Sequence, residues 1–284
     1  MTTVLSIQSS VAYGHVGNSA ATFLLMRMGV EVYPVLTVHY SNSTAYGTWR
    51  GPVLSVDDIR DVVRGVDERG ALTEVDAVLT GYQGSAAIGE AVLDTVALVR
   101  ERNPKALYCC DPVMGDVGRG FFVAAGIPEM YRDRIVGQAD IITPNQFELE
   151  FLTGHPSRTL AELLSAADAL RSKGPRIVVV TSAVTSDLSS DEVSMLAVTA
   201  EGAWVVSTPK LAPTFTGSGD ITSAAFLASY LELGSVPEAL AKTAAVVYAV
   251  LEITAESGQR ELRLVTAQDA IVNPPHTFAV RQVR

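Results

Sequence analysis

The alternation of short apolar blocks with helical patterns constrains the fold of this chain more than any other feature of its sequence. Several blocks are continuously apolar, as expected for strands that are covered on both faces, so we predict that these strands are central and parallel. The helical patterns between the blocks favour a doubly wound α/β sheet. The strand-like blocks are TVLSIQ, VEVYPVLTVHY, AVLTGY, ALYCCDPV, ADIITPN, RIVVVTS, SMLAVTA and AWVVST.

The absence of a linker indicates one domain. The 284 residues, of which 48% are hydrophobic, fit one large α/β domain or two small ones and provide a sizeable core. No internal repeat or Pro/Ser-rich linker interrupts the sequence, so we predict a single domain over residues 1–284, with about residues 30–50 leaving the sheet. The helical patterns are NSAATFLLMRMG, VDDIRDVVRGVDERG, AAIGEAVLDTVALVRERN, FELEFLTG, LAELLSAADALRSKG, SAAFLASYLELG and PEALAKTAAVVYAVLEIT.

Charge and cysteine content exclude several classes of function. The chain has 21 Lys and Arg against 31 Asp and Glu and no basic run interleaved with aromatics, so we expect no nucleic-acid partner. Cys109 and Cys110 are adjacent in an apolar block and cannot join distant segments, which suits a reducing cytoplasm. The N-terminus lacks a basic signal region, and TAAVVYAVLEIT is too short to span a bilayer, so we expect neither export nor membrane insertion.

Polar residues that end the apolar blocks are the first candidates for a site. In an open α/β sheet the ligand lies outside the carboxyl ends of the strands, where these side chains collect. Each residue alone also fits a structural role, because Asp before proline forms turns, Asn with Glu three residues later starts helices, and Ser or Thr closes many strands. The strand-end candidates are Asp111, Asp116, Thr143, Asn145, Glu148, Thr181 and Ser182.

The combination of these strand ends with a glycine-rich segment indicates a phosphate site. Carboxylates at successive strand ends suit hydrated Mg²⁺, which is held through one or two acids and phosphate oxygens. Gly217, Ser218 and Gly219 precede Asp220 at the start of an apolar helical pattern. Backbone N–H groups at such a helix start point at negative charge, and the helix dipole favours an anion there. We therefore predict an anion hole for phosphate at residues 217–220.

Across almost the whole chain, these and further motifs resemble the pyridoxal kinases of the ribokinase superfamily. Sugar kinases of the superfamily share the anion hole and the Asn-x-x-Glu pair, whereas SIQSSVAYGHVGN and YSNSTAYG resemble the vitamin kinase branch. The motifs that carry the resemblance are VLSIQSSVAYGHVGNSAATF, VHYSNSTAYGTWRG, VLTGYQGS, CDPVMGD, DIITPNQFELE, VVVTS, GSGD and the tail AQDAIVNPPHTFAV.

The resemblance implies a fold and an activity. It implies a ribokinase-like α/β fold with a central, mostly parallel sheet flanked by helices and a small β flap, about residues 30–50, over the substrate. The implied reaction is the ATP-dependent phosphorylation of the 5′-hydroxymethyl group of pyridoxal by a cytoplasmic homodimer with Mg²⁺. The family also commonly uses a monovalent cation such as K⁺, which the sequence leaves open. Nucleotide preference and relative activity on pyridoxal, pyridoxine and pyridoxamine also stay open.

The resemblance also implies roles at the phosphate end of the site. Asp220 would accept the proton of the substrate hydroxyl as it attacks the γ-phosphate, and the N–H groups of Gly217, Ser218 and Gly219 would stabilise the transferred group. Thr143, Thr181 and Ser182 would contact the nucleotide phosphates. The residues that would hold Mg²⁺, largely through water, and with it the nucleotide are Asp111, Asp116, Asn145 and Glu148.

At the substrate end, the resemblance assigns contacts with pyridoxal to residues inside the flap region and on either side of it in the sequence. For Tyr40 and Tyr82, the alternative role is packing of the flap without contact with substrate. Ser43 stands where the family commonly has a histidine, which leaves substrate preference open, and Ala224 replaces a glycine that often follows the helix start. The substrate residues are Ser9, Thr44 and Tyr82 as polar contacts, Val16 and Tyr40 as apolar walls, and Ser43.

Two other functions remain open at this point. A hydroxymethylpyrimidine kinase of thiamine synthesis would share the same anion hole, but SSVAYGHVGN argues against it. A non-catalytic protein that binds pyridoxal would not require Asp220, Asp111 and Glu148 together. The histidines show no metal-ligand spacing, so we interpret them as structural or surface residues; they are His15, His39, His155 and His276.

Overall fold

The fold is built on a large central sheet. The computed structural model describes residues 1–212 and 214–284, and within these residues nine strands form one sheet. The strands of this sheet are β1 (Thr3–Val11), β2 (Glu31–Tyr40), β3 (Ala77–Thr80), β4 (Leu107–Cys110), β7 (Ile141–Ile142), β8 (Ile177–Ala183), β9 (Glu192–Val198), β10 (Ala203–Pro209) and β11 (Val280–Gln282), with β5 (Gly115–Asp116) and β6 (Gly120–Phe121) forming a separate hairpin.

Strand direction divides the sheet into two parts. The spatial order is β11-β10-β9-β8-β7-β4-β3-β1-β2, and the pairs from β2 to β8 are all parallel. The prediction of a mostly parallel sheet is therefore confirmed. It does not extend to the blocks SMLAVTA and AWVVST, because β9 and β10 pair antiparallel with their neighbours. Only residues 199–202 separate these two strands, which leaves no chain for a crossover helix.

Helices cover both faces of the sheet and divide the core in two. Buried side chains of α2, α3, α5 and α6, among them Ile88 and Leu149, pack on one face, and those of α1, α7 and α8, among them Leu24 and Phe226, pack on the other. In the described part of the chain, no helix is long and apolar enough to cross a membrane. The helices are α1 (Asn18–Arg27), α2 (Val56–Asp67), α3 (Ala86–Arg102), α4 (Ile127–Met130), α5 (Gln146–Thr153), α6 (Leu160–Arg171), α7 (Ser218–Leu233), α8 (Val236–Glu256) and α9 (Gln268–Val272).

The segment that leaves the sheet is shorter than the sequence predicts. Residues 31–40 form β2, which pairs in parallel with β1 from Thr3 to Val11, so the predicted excursion over residues 30–50 is wrong for this half. The flap proper, residues 41–53, folds back on the end of β2 through hydrogen bonds from the His39 and Leu54 amides to the carbonyls of Pro52 and Thr37, both 3.0 Å long. A single 3₁₀ turn, Thr44–Tyr46, forms its tip.

Candidate active site

Three acidic side chains converge at the carboxyl edge of the parallel strands. Asp111 directly follows β4, Glu148 lies on the first turn of α5 after β7, and Asp220 lies on the first turn of α7. Asp111 and Glu148 are only 5% and 3% exposed. Burial, followed by the charges of Glu148 and Asp220, raises the pKa of Asp111 well above its usual value. The charges of Glu148 and Asp220 therefore disfavour the ionised form of Asp111.

Backbone amides hold the Glu148 carboxylate in place. Its Oε2 accepts the Asn145 N–H at 2.9 Å, which completes a capping box at the start of α5, and its Oε1 accepts the Met114 N–H at 3.0 Å. Burial raises the pKa of Glu148 to about 8 in spite of these donors, with the charge of Asp116 contributing. The carboxylate thus ties α5 to the segment after β4.

Asn145 and Asp116 occupy different positions relative to this group. The Asn145 amide is engaged on both sides, since its Oδ1 accepts the Glu148 N–H at 2.9 Å and its Nδ2 donates to the Gly115 carbonyl at 2.8 Å. Asp116 is exposed on the β5–β6 hairpin and accepts the Val117 N–H at 2.7 Å. The structure therefore brings Asn145 to the acids as a helix cap and places Asp116 at their solvent side.

Ser223 is a buried residue of the site that the sequence analysis missed. Its hydroxyl lies 3.0 Å from the Asp111 carboxylate, 2.8 Å from the Thr143 hydroxyl and 3.1 Å from the Gly219 carbonyl. It thereby links the ends of β4 and β7 to the start of α7. Thr143, 1% exposed, faces this hydroxyl and so supports the acids from behind. A serine on the turn after Asp220, facing back to the helix start, is the signal that could have indicated this role.

The glycine-rich segment forms an open helix start. Gly217 caps α7 with φ of 90°, and a β-carbon there would lie 2.2 Å from the His15 carbonyl oxygen, so only glycine fits. A β-carbon at Gly219 would meet no atom within 4 Å, which leaves that side of the helix start open. Within residues 1–212 and 214–284, the N–H groups of Gly217, Ser218 and Gly219 have no backbone partner. They are available to an anion.

Asp220 lies between this helix start and the loop after β1. The Gly17 N–H faces its carboxylate and acts to lower the pKa, but burial is the larger influence and raises the pKa to about 6. Gly17 in turn packs against Ser9, because a β-carbon at position 17 would lie 2.3 Å from the Ser9 hydroxyl oxygen. Asp220 and Ser9 therefore flank the same loop.

Thr181 and Ser182 lie near the end of β8, the strand next to β7. Both are partly exposed near the end of β8, where the pairing with β9 shifts register between Val180 and Ala183. Such an irregularity re-aims side chains out of the ladder. The Thr181 N–H donates to the Pro144 carbonyl at 3.0 Å, which joins this strand end to that of β7.

A small apolar cluster, here called the apolar wall, forms where the flap meets the sheet. Tyr40 and Val38 from β2 and Val11 from β1 are buried together, with Val16 and Tyr82 packed against them. Burial, with the neighbouring Tyr40 hydroxyl, raises the pKa of Tyr82 to about 12, so its hydroxyl stays a proton donor. The structure thus brings together Val16 and Tyr40, which the resemblance assigns as apolar walls, and Tyr82, which it assigns as a polar contact.

The polar substrate candidates border this wall. Ser9 is 7% exposed at the end of β1. Ser43 is equally buried, and its hydroxyl accepts the Ala45 N–H at 3.2 Å, so it caps the 3₁₀ turn that begins with Thr44. At the flap, serine therefore has a local structural role in addition to any contact with substrate.

The donor set fits a hydrated divalent cation better than a dry chelate. Within the described residues, no three His, Cys, Asp or Glu side chains form a group that could hold a metal directly. Buried carboxylates with raised pKa values are nevertheless the environment that a nearby cation stabilises, and Mg²⁺ keeps most of its waters. The site therefore suits water-mediated Mg²⁺ beside the open helix start.

The parallel sheet, its acidic carboxyl edge and the open helix start define a ribokinase-like small-molecule kinase. The family model for phosphomethylpyrimidine kinase matches residues 62–264. Pyridoxal kinases PdxY from Leifsonia xyli and Rubrobacter xylanophilus are 52% and 54% identical over 99% of this chain, and over 99% and 97% of their own length. The chain therefore belongs to the pyridoxal kinase family.

A solved structure agrees with this assignment over the full length. Pyridoxal kinase from Leishmania donovani in complex with ADP and pyridoxamine superimposes with a TM-score of 0.93 at 30% identity, covering 100% of both chains. The resemblance named from the sequence motifs is thus confirmed, and so is the ribokinase-like fold. The individual site residues stay predictions at this stage.

Proposed function

We propose that this chain phosphorylates the 5′-hydroxymethyl group of pyridoxal with ATP and releases pyridoxal 5′-phosphate and ADP. The observation that carries the proposal is the position of Asp220, between the open start of α7 and the loop that leads to the apolar wall. A phosphate acceptor at the apolar wall and a phosphate donor at the helix start would meet beside this carboxylate. The names of the relatives and the ADP and pyridoxamine of the Leishmania structure support the same reaction.

Asp220 acts as the proton acceptor in this mechanism. An alcohol is too weak an acid to be ionised fully by a carboxylate, so Asp220 orients the hydroxyl and takes its proton as the new O–P bond forms and the bond from phosphorus to ADP breaks. Its pKa of about 6 keeps it mostly ionised at neutral pH and raises its basicity over that of an exposed aspartate. The Gly17 N–H holds it in orientation.

The start of α7 stabilises the group in transfer. The N–H groups of Gly217, Ser218 and Gly219, which have no backbone partner among the described residues, would donate hydrogen bonds to the equatorial phosphoryl oxygens as charge develops there. Because they are fixed by the helix, they need no reorganisation during the reaction. Thr181 and Ser182, at the neighbouring strand end, would contact the nucleotide phosphates, and Thr143 holds Ser223 behind the acids.

Asp111, Glu148, Asp116 and Asn145 would hold Mg²⁺ through water and would orient the nucleotide with it. The bound cation supplies charge neutralisation for the phosphates. Pyridoxal would lie against Val16, Tyr40 and Tyr82, with Ser9, Ser43 and Thr44 as polar neighbours. A K⁺ ion near the phosphates, a homodimer and a cytoplasmic location are further predictions from the resemblance.

Turnover of purified protein tests the proposal. Mg-ATP is supplied with pyridoxal, pyridoxine, pyridoxamine or hydroxymethylpyrimidine in turn, and both ADP and the phosphorylated product are measured. We expect turnover with pyridoxal, which is measured through the absorbance of the pyridoxal phosphate formed. The hydroxymethylpyrimidine arm is included because the matching family model is that of phosphomethylpyrimidine kinase, which acts on a related pyrimidine. Preferred turnover of the pyrimidine would replace the proposal by that function, and binding of pyridoxal without turnover would make the protein a binder.

A further inference from the structure

The flap tip is fastened to the segment after α8 by two consecutive residues. The Tyr46 hydroxyl donates to the Glu261 carboxylate at 2.7 Å. Arg260 lies over the Tyr46 ring, 4.0 Å from its centre, and donates to the Ala45 carbonyl at 2.8 Å. Tyr46 and Glu261 are both partly buried. A bond to the hydroxyl, a stacked cation and a bond to the backbone thus hold one turn of the flap.

The same carboxylate also holds the loop after β1. The second Glu261 oxygen accepts the His15 N–H at 3.1 Å, and a β-carbon on Gly14 would lie 2.0 Å from that oxygen. The loop, residues 12–17, is therefore pressed against Glu261 on one side. On its other side, the His15 carbonyl touches Gly217 at the start of α7.

Each of these two segments leads directly to a predicted contact with pyridoxal. Ser43 and Thr44 immediately precede the fastened residues Ala45 and Tyr46, and Val16 immediately follows the fastened residue His15. Glu261 thus links the flap tip to the loop between β1 and α1 through hydrogen bonds. Both segments are distant from Glu261 in sequence. None of its contacts reaches the strand ends where the nucleotide is expected.

We propose that Glu261 is a positioning residue that fixes the flap tip and the β1–α1 loop relative to each other and so sets the affinity for pyridoxal. The inference rests on the proposed function, because it assumes that these segments border the pyridoxal site. Glu261, Tyr46 and Arg260 together are called the clamp. The hydrogen bond from Tyr46 to Glu261 also raises the pKa of Tyr46 to about 12, so the bond persists over the working pH range.

The kinetic test separates pyridoxal from ATP. We expect Glu261→Ala to raise the KM for pyridoxal roughly three- to tenfold, because two hydrogen bonds that order the rim are lost, while kcat and the KM for ATP stay within about twofold. Glu261→Gln keeps an acceptor for one of the two donors and should recover part of the loss. Tyr46→Phe should give a smaller rise, and adding it to Glu261→Ala should change little, because their shared bond is already gone.

Limited proteolysis measures how readily the flap opens, and it does not require enzymatic turnover. Arg50 lies exposed in the flap, so trypsin cleavage between Arg50 and Gly51, followed by mass spectrometry, reports how often the flap opens. We expect faster cleavage in Glu261→Ala and Tyr46→Phe than in the wild type. Glu256→Ala is the matched control, since Glu256 is an exposed acid at the end of α8, and it should leave both readouts unchanged.

The results that would contradict the clamp are equally specific. A rise in pyridoxal KM without faster cleavage, or faster cleavage without a rise in KM, overturns it, and so does an equal rise in the KM for ATP. If Glu261→Ala does not fold, Glu261→Gln and Tyr46→Phe carry the same comparison. If the wild type does not phosphorylate pyridoxal, the proposed function fails separately, and Arg50 cleavage alone then decides whether the clamp exists.

Discussion

At the scale of single residues, Asp220 shows how two opposed influences set a functional pKa. Burial raises its pKa to about 6, and the hydrogen bond from the Gly17 N–H acts in the opposite direction. A general base is most effective when its pKa lies close to the working pH, because it is then both ionised and basic. Asp220 approaches that compromise before any ligand is bound.

The first prediction concerns this carboxylate. Asp220→Asn keeps the size of the side chain and removes the proton acceptor, so we expect kcat with pyridoxal to fall by roughly a hundredfold to ten-thousandfold. Binding of ATP and pyridoxal, measured by calorimetry, should change little. A variant with near-normal kcat would show that Asp220 is not the base.

The second prediction concerns pH. The ionised form of Asp220 is the active form, so kcat/KM for pyridoxal should rise with pH through a midpoint near 6 and fall about tenfold per pH unit below it. Glu148→Gln provides the control, because it removes the other titrating acid whose pKa lies near neutrality. The rise of kcat/KM with a midpoint near pH 6 should persist in that variant, at a reduced rate. Loss of this rise would assign it to the titration of Glu148 instead of Asp220.

At the scale of elements, α5 and α6 begin with the same device in different surroundings. Asn145 and Glu148 form a capping box at the start of α5, and Thr159 and Glu162 form one at the start of α6. Glu148 is 3% exposed and also holds Met114, whereas Glu162 is partly exposed and accepts the Arg158 N–H at 2.9 Å. Glu148 and Glu162 share the capping role, but only Glu148 lies at the candidate site. Comparing variants of the two residues therefore separates an effect of capping from an effect at the site.

The third prediction uses this pair. Glu148→Gln turns an amide group towards backbone donors, so we expect a loss of about 1–3 kcal/mol in the free energy of unfolding. It also removes a charge from the predicted cation site, so the Mg²⁺ concentration for half-maximal rate should rise roughly threefold or more. Glu162→Gln should reproduce only the loss of stability. Equal Mg²⁺ dependence of both variants would leave Glu148 as a cap alone.

The hydrophobic periodicity of the sequence is sufficient to predict the long helices and strands. It fails where contacts with distant parts of the chain determine the position or role of a segment. The continuous apolar blocks indicated the parallel strands, but VEVYPVLTVHY has the same pattern whether it pairs with β1 or lies in a flap, and only its neighbour settles the matter. The two-residue strands β5 and β6 are too short for any period to show. Ser223 lies on an apolar helix and gains its role only from the strand ends that it meets.

At the scale of the whole molecule, one strand edge gathers acids from three distant parts of the chain, and this has a cost in stability. The pKa values of Asp111, Glu148 and Asp220 are all raised, with burial as the largest cause. The folded chain therefore holds protons that the unfolded chain has lost, and stability must fall as pH rises towards the folded pKa values. His15 acts in the opposite direction, because burial lowers its pKa.

The last prediction therefore uses a range in which His15 is neutral in both states. Between pH 7 and pH 8.5, Glu148, with a pKa of about 8, loses its proton in the folded chain. Burial and the neighbouring acids raise the pKa of Asp111 well above its usual value, so its titration acts in the same direction. We expect the free energy of unfolding of the ligand-free protein, from urea denaturation, to fall by roughly 1–2 kcal/mol over this range, since one pKa unit corresponds to about 1.4 kcal/mol. Millimolar Mg²⁺ should reduce the fall, because a cation beside the acids stabilises their ionised form, and Glu148→Gln should reduce it without Mg²⁺. Stability that rises over this range in the absence of Mg²⁺ would show that the acids are already compensated by the protein, and that the strand edge does not depend on a cation.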